Sequence, residues 1–321
     1  MGFPTMHPAK SVILFTTASG AGYGLLILFA LMDLAGWIPT DMAVTLAGIG
    51  TAFVLISGGL LASTFHLGHP ERAWRALSQW RTSWLSREGV MAILTFVPMA
   101  AYCAGRVYFP DLTEPWQPAL GAVTAACAAV TVLCTAMIYA SLKTVPAWST
   151  AWTPVCYATL ALGSGAVLIC ALAVVFGFLN EGMMNAASIL LLVGLASKLA
   201  YWRAVGRAAP RSTAESATGL GGLGRVKPLE PPHEGTNYLL DEMGFRVARR
   251  HAARLRRIAL IWGFVFPMLG ILFAGYSDGM AALGLIGLAL VTGAVGLFAE
   301  RYLFFAEAKH AVTLYYGEPS V

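Results

Sequence analysis

The sequence predicts an all-α integral membrane protein with eight transmembrane helices. Three observations carry this. Of 321 residues, 58% are apolar and only 12% are charged, whereas a soluble domain carries about 25% charged residues. The apolar residues gather in eight continuous runs, each near the roughly 20 residues that cross a bilayer as a helix. The runs lack period-two alternation, so helices rather than barrel strands must satisfy the backbone.

The expected spans are residues 11–34, 42–66, 88–108, 118–141, 154–179, 185–205, 258–276 and 280–304. The first is long enough to cross, and no small-residue cleavage site follows a short core, so it reads as a retained span rather than a signal peptide. Met6 offers an alternative start. Within this span Gly20-x-x-x-Gly24 permits close helix approach, with simple packing as its ordinary reading. Pro98 and Pro267 mark sites of bending in the third and seventh spans. The long segment 206–257 divides in two. "RAAPRSTAESATGLGGLGRVKPLEPP" is rich in Gly, Pro, Ser and Ala and predicts a flexible stretch over 206–235. "TNYLLDEMGFRVARRHAARLRRIAL" keeps helical apolar spacing at Leu240, Met243, Val247 and Leu255, which predicts a helix over 236–257 that runs into the seventh span.

Lys and Arg set the orientation. With eight spans, both termini share a side with the loops after the second, fourth and sixth. That side holds Lys10, Arg72, Arg75, Arg81, Arg87, Lys143, a dense set from Arg203 to Arg257, and Lys309. The opposite loops hold Asp33, Asp41, Asp111, Glu114, Glu181 and Asp278, with Arg106 as their one basic residue. The asymmetry predicts cytoplasmic termini. The formal charge of +5 thus reads as topology, not as a nucleic-acid signal.

The five cysteines fall inside apolar runs without paired spacing. Iron–sulfur clusters and structural zinc want clustered thiolates, so these read as small buried hydrophobes.

The stretch "STFHLGHPERAWRALSQW" carries the chemistry. His66 ends the second span at the cytoplasmic boundary, and Glu88 in "LSREGVMAIL" opens the third at nearly the same depth. Between them Pro70 suits the first turn of a short interfacial helix. Ala73, Trp74, Leu77, Trp80 and Trp84 form its apolar side, and Glu71, Arg72, Arg75 and Gln79 its polar side. An imidazole and a carboxyl at the mouth of a lipid-open pocket suit a quinone, whose turnover moves protons near neutrality. Each residue also has an ordinary reading. His66 is an interfacial helix end, and Glu88 is a carboxylate favouring a helix N-terminus. Arg246 to Arg257 likewise suit either anionic headgroups or a docked partner.

"STFHLGHPERAW" followed by "SWLSREG" resembles the membrane-anchor subunits of DMSO-reductase-type molybdoenzyme complexes, over most of the chain. "MHPAKSVILFTTASGAGYG" and "GTNYLLDEMGFRVARRHAARLRRIAL" look most like the branch that serves cytoplasmic sulfite dehydrogenases. The resemblance implies a haem-free anchor of the DMSO reductase type, multi-pass in the bacterial inner membrane, with quinone (ubiquinone or menaquinone) as diffusible substrate and no haem or Fe–S cluster of its own. It implies two cytoplasmic-face partners, an iron–sulfur ferredoxin-like subunit and a molybdopterin catalytic subunit. His66 and Glu88 match the family's quinol-linked histidine and glutamate, and Arg72 matches the arginine six residues beyond the histidine. His69 departs from the smaller residue of the DMSO reductase branch, which puts transfer of that branch's substrate in doubt. The candidate quinone contacts are His66, Glu88, Arg72 and Ser63. The candidate docking residues are Arg72, Arg75, Arg81, Arg246, Arg249 and Arg250.

Two rivals stand beside this reading. A dihaem anchor needs paired imidazoles within the bundle, and of six histidines only His66 lies in an expected span. A secondary transporter would use intramembrane charges, for which Lys198, Glu300 and Arg301 are the candidates. All three lie near cytoplasmic helix ends, where long side chains reach water.

Overall fold

The structure is a computed structural model and describes residues 8–64, 69–227, 229–230, 251–316 and 318–321, with positions 8, 9, 111 and 112 described by their backbone alone. Among the described residues, eight long apolar helices form the bundle: α1 (Pro8–Leu34), α2 (Met42–Thr64), α3 (Trp84–Tyr108), α4 (Gln117–Ala140), α5 (Trp152–Phe176), α6 (Glu181–Arg207), α7 (Ala252–Gly275) and α8 (Gly279–Ala306). All eight are long and apolar enough to cross a membrane. Side chains such as Val54, Leu61, Ile93 and Val97 point outward and stay exposed, as a lipid-facing surface requires. The chain is a multi-pass membrane protein.

Local chemistry sets the helix starts. Asp41 Oδ1 accepts from the Val44 amide at 2.9 Å to open α2, and Asn180 Oδ1 accepts from the Met183 amide at 2.9 Å to open α6. Ser83, in extended conformation, accepts from the Ser86 amide and opens α3. The third helix therefore begins at Trp84 rather than at 88, and Glu88 lies one turn inside it. The N-cap preference of serine places that start ahead of the charged pair Arg87–Glu88.

The first helix is the centre of the bundle. In its most apolar stretch 61% of residues are buried, against 28% for α8, and it packs on α2, α4, α5 and α8. The α1–α5 seam closes at glycine. A Cβ on Gly24 would collide with the Ala161 carbonyl, and one on Gly165 would collide with the backbone of Gly24. A Cβ on Gly20, the other glycine of the sequence motif, would meet nothing within 4 Å. One glycine of the pair therefore makes the close approach.

Pro98 sits within α3, which remains one α-helix. Pro267 acts differently. It lacks an N–H to return to the preceding turn, and immediately before it Ile261–Val265 widen into a π-helical turn between two α-helical halves, Ala252–Leu260 and Phe266–Gly275.

After α6, the described residues 208–227 carry local hydrogen-bonded structure. Thr213 and Ser216 cap each other reciprocally to form a short helix, Ala214–Thr218. The Arg211 amide donates to the Val321 carbonyl at 2.8 Å, and Arg211 Nη2 donates to Ser149 O at 2.8 Å. Val321 and Ser149 thus tie this stretch down. Of the expected helix over 236–257, the residues up to 250 lie outside the described set, and Ala252 onward forms the start of α7.

Candidate functional site

Glu88 is 4% exposed, and its side chain turns into the bundle toward α4. The Thr135 hydroxyl donates to Glu88 Oε1 and also contacts the Thr131 carbonyl at 3.1 Å. Thr131 Oγ1 lies 3.1 Å from Thr95 Oγ1, so hydroxyls continue down the α3–α4 interface below the carboxyl. Beside Thr135 a cavity of about 20 Å³ is lined by Tyr23, Tyr157, Ser164 and Arg301. That volume suits a single water. The Tyr23 and Tyr157 hydroxyls are buried beside it.

Above this carboxyl the expected interfacial helix is present as a 3₁₀ helix, Pro70–Leu77. Three residues per turn bring positions i and i+3 into line, so Trp74 and Leu77 share one edge and Arg72 and Arg75 another. Leu77 rests on Gly89, where an added Cβ would meet Leu77 Cδ2 at 2.8 Å. Ser86 Oγ donates to the Ala76 carbonyl. Arg87 ties down the following turn, with Nε to Trp80 O at 3.0 Å, Nη2 to Arg81 O at 2.6 Å, and its guanidinium 4.3 Å above the Trp84 ring. Arg72, Arg75 and Arg81 are exposed. Arg72 meets only Glu71, at 3.8 Å, among the described ion pairs, and Glu71 also receives His69 Nδ1 at 3.0 Å.

Lys198, Glu300 and Arg301 do not reach water. They are 1%, 1% and 2% exposed and form one buried cluster. Lys198 Nζ is 2.5 Å from Glu300 Oε1, and Arg301 Nε is 3.2 Å from Glu300 Oε2. Aromatic faces supply further stabilisation, with Lys198 4.1 Å from the Tyr201 ring centre and Arg301 3.9 Å from that of Tyr157. The expectation that these side chains extend outward is corrected. The carboxylate that the two cations share, together with the rings, holds them inside. The cluster lies at the same end of the bundle as Glu88, within about three helical turns of the ends of α6 and α8.

At the opposite end Arg106 pairs with Asp33. It also donates to Thr45 Oγ1 at 3.1 Å and to Pro39 O at 2.8 Å, and Tyr102 donates to Asp33 Oδ2 at 2.5 Å. The one basic residue on that side is therefore neutralised within the protein.

The structure places Glu88 in the bundle and Arg72, Arg75 and Arg81 on the surface beside it. The Ser63 hydroxyl is used by its own helix, donating to Leu60 O at 2.6 Å. His66, Arg246, Arg249 and Arg250 lie outside the described residues. Thr135 and Arg87 are the contacts sequence reasoning missed. Threonine in an apolar helix carries no distinguishing signal, and Arg87 reads as one more loop cation. The cysteines are free, three buried and two partly exposed. Among the described residues, no three His, Cys, Asp or Glu side chains converge as metal ligands.

Comparison with known proteins adds two findings. The family model described as DMSO reductase anchor subunit (DmsC) matches residues 5–209. The C subunit of the sulfite dehydrogenase of Allochromatium vinosum is 35% identical over 327 aligned residues, covering 97% of this chain and 99% of that relative.

Proposed function

Since this chain belongs to the DMSO reductase anchor subunit family, we propose that it is the membrane anchor and quinone-reactive subunit of a sulfite-oxidising molybdoenzyme complex in the bacterial inner membrane. Its partners are an iron–sulfur ferredoxin-like subunit and a molybdopterin catalytic subunit, both on the cytoplasmic face. The name of the relative from Allochromatium vinosum supports the sulfite assignment. The basic loops support cytoplasmic termini, and the pairing of Arg106 with Asp33 removes the one exception to that charge pattern.

The observation that carries the quinone reading is the Glu88 carboxyl, buried one turn inside α3 with Thr135 donating to it. A carboxyl there is sheltered from bulk water yet linked to hydroxyls, a suitable holder for a transferable proton. Quinone is the diffusible substrate; its reduction takes up two electrons and two protons. Glu88 holds and releases a proton, and Thr135 orients that carboxyl by donating to Oε1. His66 hydrogen-bonds a quinone carbonyl and passes it a proton. Arg72, Arg75 and Arg81 offer exposed cations to a partner surface, and the tryptophans beside them lie along the lipid headgroups. Electrons and protons enter from the same face, so turnover itself builds no membrane potential.

The family description favours a second reading, in which the same site runs in reverse as the quinol-oxidising anchor of a DMSO or other S- or N-oxide reductase. Sulfite-dependent quinone reduction by the purified complex separates the two. His66→Leu and Glu88→Gln should each abolish that turnover while the three subunits still co-purify. Full turnover in both assembled variants sinks the site assignment, and purification without redox subunits returns the transporter reading.

A further inference from the structure

The loop that follows α6 leaves two leucines open. Leu220 and Leu223 are 47% and 88% exposed, and neither short helix in this stretch, Ala214–Thr218 or Gly221–Leu223, has a buried residue. Yet the backbone around them is closely tied. Thr213 and Ser216 cap the first helix, the Val226 amide donates to Glu215 Oε1 at 3.1 Å, and the Leu223 amide donates to the Leu220 carbonyl at 2.9 Å. Gly219 and Gly224 turn the chain at φ of 70° and 127°, angles that favour glycine. Residues 213–226 are therefore closed by their own polar groups and not by a core. Ordering a chain costs entropy that apolar burial ordinarily offsets, but here the leucines bury little within the chain. A loop already fixed in shape spends less on binding, so this one is suited to a partner that covers it.

Its position says what kind of partner. The helix Ala214–Thr218 packs on the 3₁₀ helix Ala311–Tyr316, whose Ala311 amide donates to the Thr144 carbonyl at 2.9 Å. Arg211 Nη2 reaches Ser149 O, and Trp148 Nε1 donates to Phe304 O at 2.9 Å. The α4–α5 turn and the chain after α8 thus form a layer over the bundle end that carries Glu88, and the loop stands on that layer. A lipid contact would instead put the leucines against the outer sides of the helices. Arg211, Arg225 and Lys227 are exposed around them, an apolar centre with a cationic rim.

We propose that residues 213–227 are a docking loop for the iron–sulfur subunit, with Leu220 and Leu223 entering an apolar patch on it and Arg211, Arg225 and Lys227 facing its negative charge. The naming of the partner rests on the reading of the preceding section; the loop and its open leucines do not. Of the two redox partners, the one that exchanges electrons with a quinone in this chain must lie against it. Thiolate-ligated clusters are also net negative, which suits a cationic rim.

The test replaces Leu223 with the photo-crosslinker p-benzoylphenylalanine in the complete complex, in native membranes. Irradiation should join this position to the iron–sulfur subunit, read by mass spectrometry. Leu223→Asp should raise by about tenfold or more the concentration of redox subunits needed for half-maximal rebinding, the order expected when one buried leucine is lost. Leu223→Met should rebind like wild type. Both substituted chains should keep the wild-type thermal midpoint, because the side chain is exposed. Crosslinks confined to phospholipid, to the molybdopterin subunit or to another part of this chain overturn the inference, as does the lack of any crosslink. Wild-type rebinding by Leu223→Asp overturns it too. A wild-type chain that purifies with no redox subunit fails the anchor reading and this inference together, whereas an intact complex with position 223 uncrosslinked fails this inference alone.

Discussion

Thr135 on α4 donates its hydroxyl to the buried carboxyl of Glu88 on α3, joining two helices that meet along a line of hydroxyls rather than through apolar side chains alone. Removing a hydrogen bond to a buried ionisable group costs about 1–3 kcal/mol, and 1.4 kcal/mol is about tenfold in rate. Thr135→Val should therefore lower quinone turnover by about tenfold or more, while Thr135→Ser, which keeps the donor, should stay near wild type. Steady-state rates on complexes of matched composition give the answer. Equal rates for Val and Ser would mean that the hydroxyl serves packing only.

The Asp33–Arg106 pair makes a different claim, on stability. Arg106 makes contacts to Asp33, Thr45 and Pro39, which join α1, α2 and α3 at the end away from Glu88. Removing one partner of a buried ion pair leaves an uncompensated charge and costs about 3–5 kcal/mol. Arg106→Leu should lower the thermal midpoint of the purified chain markedly. Arg106→Lys should rescue little, since one ammonium cannot replace a guanidinium that reaches three partners. The double variant Asp33→Asn/Arg106→Leu should be milder than Arg106→Leu alone. A midpoint unchanged in Arg106→Leu would show that the pair contributes nothing to stability.

The eight helices are legible in the sequence because uninterrupted apolar runs have one backbone solution in a bilayer. Glu88 is legible for the related reason that a carboxyl beside an apolar run is conspicuous. Its partner is not. Thr135 looks like Thr124, which bonds back to its own helix, and nothing local distinguishes the threonine that reaches a carboxyl on the next helix. Long-range charge pairing is equally hidden. Lys198 and Glu300 meet at 2.5 Å although they stand on different helices far apart in the chain, so each alone looks like a residue stretching for water. The start of α3 is hard to place because both Ser83 and Ser86 precede Glu88, and choosing the cap needs the backbone angle at Ser83.

The glycines of α1 give a paired prediction. A methyl at Gly24 would enter the backbone of α5 at Ala161, while one at Gly20 meets nothing within 4 Å. Overpacking of this kind costs about 1–3 kcal/mol or more, whereas replacing a helical glycine that has free space gains up to about 1 kcal/mol. Gly24→Ala should reduce the folded yield in membranes and the thermal midpoint. Gly20→Ala should leave both unchanged or slightly raised. The reverse order would place the close approach on the other glycine.

The last prediction concerns pH, at the short 3₁₀ helix Ala311–Tyr316 that follows α8. His310 Nδ1 accepts from the Val312 amide at 3.0 Å, a role open only to the neutral ring. Partial burial lowers the His310 pKa below the usual histidine value. The opened segment therefore takes up a proton more readily than the closed one, and stability falls as pH falls. The contribution is complete above the ordinary histidine range and is lost as pH drops through that range to the depressed value. Amide exchange of residues 311–316, corrected for intrinsic rates, should be faster at pH 5.5 than at pH 7.5. His310→Ala should flatten the difference by making the segment exchange quickly at both. Persistence of the pH dependence in His310→Ala would assign it to another group, with Lys309 and Glu318, paired at 2.8 Å beside it, as the next to replace.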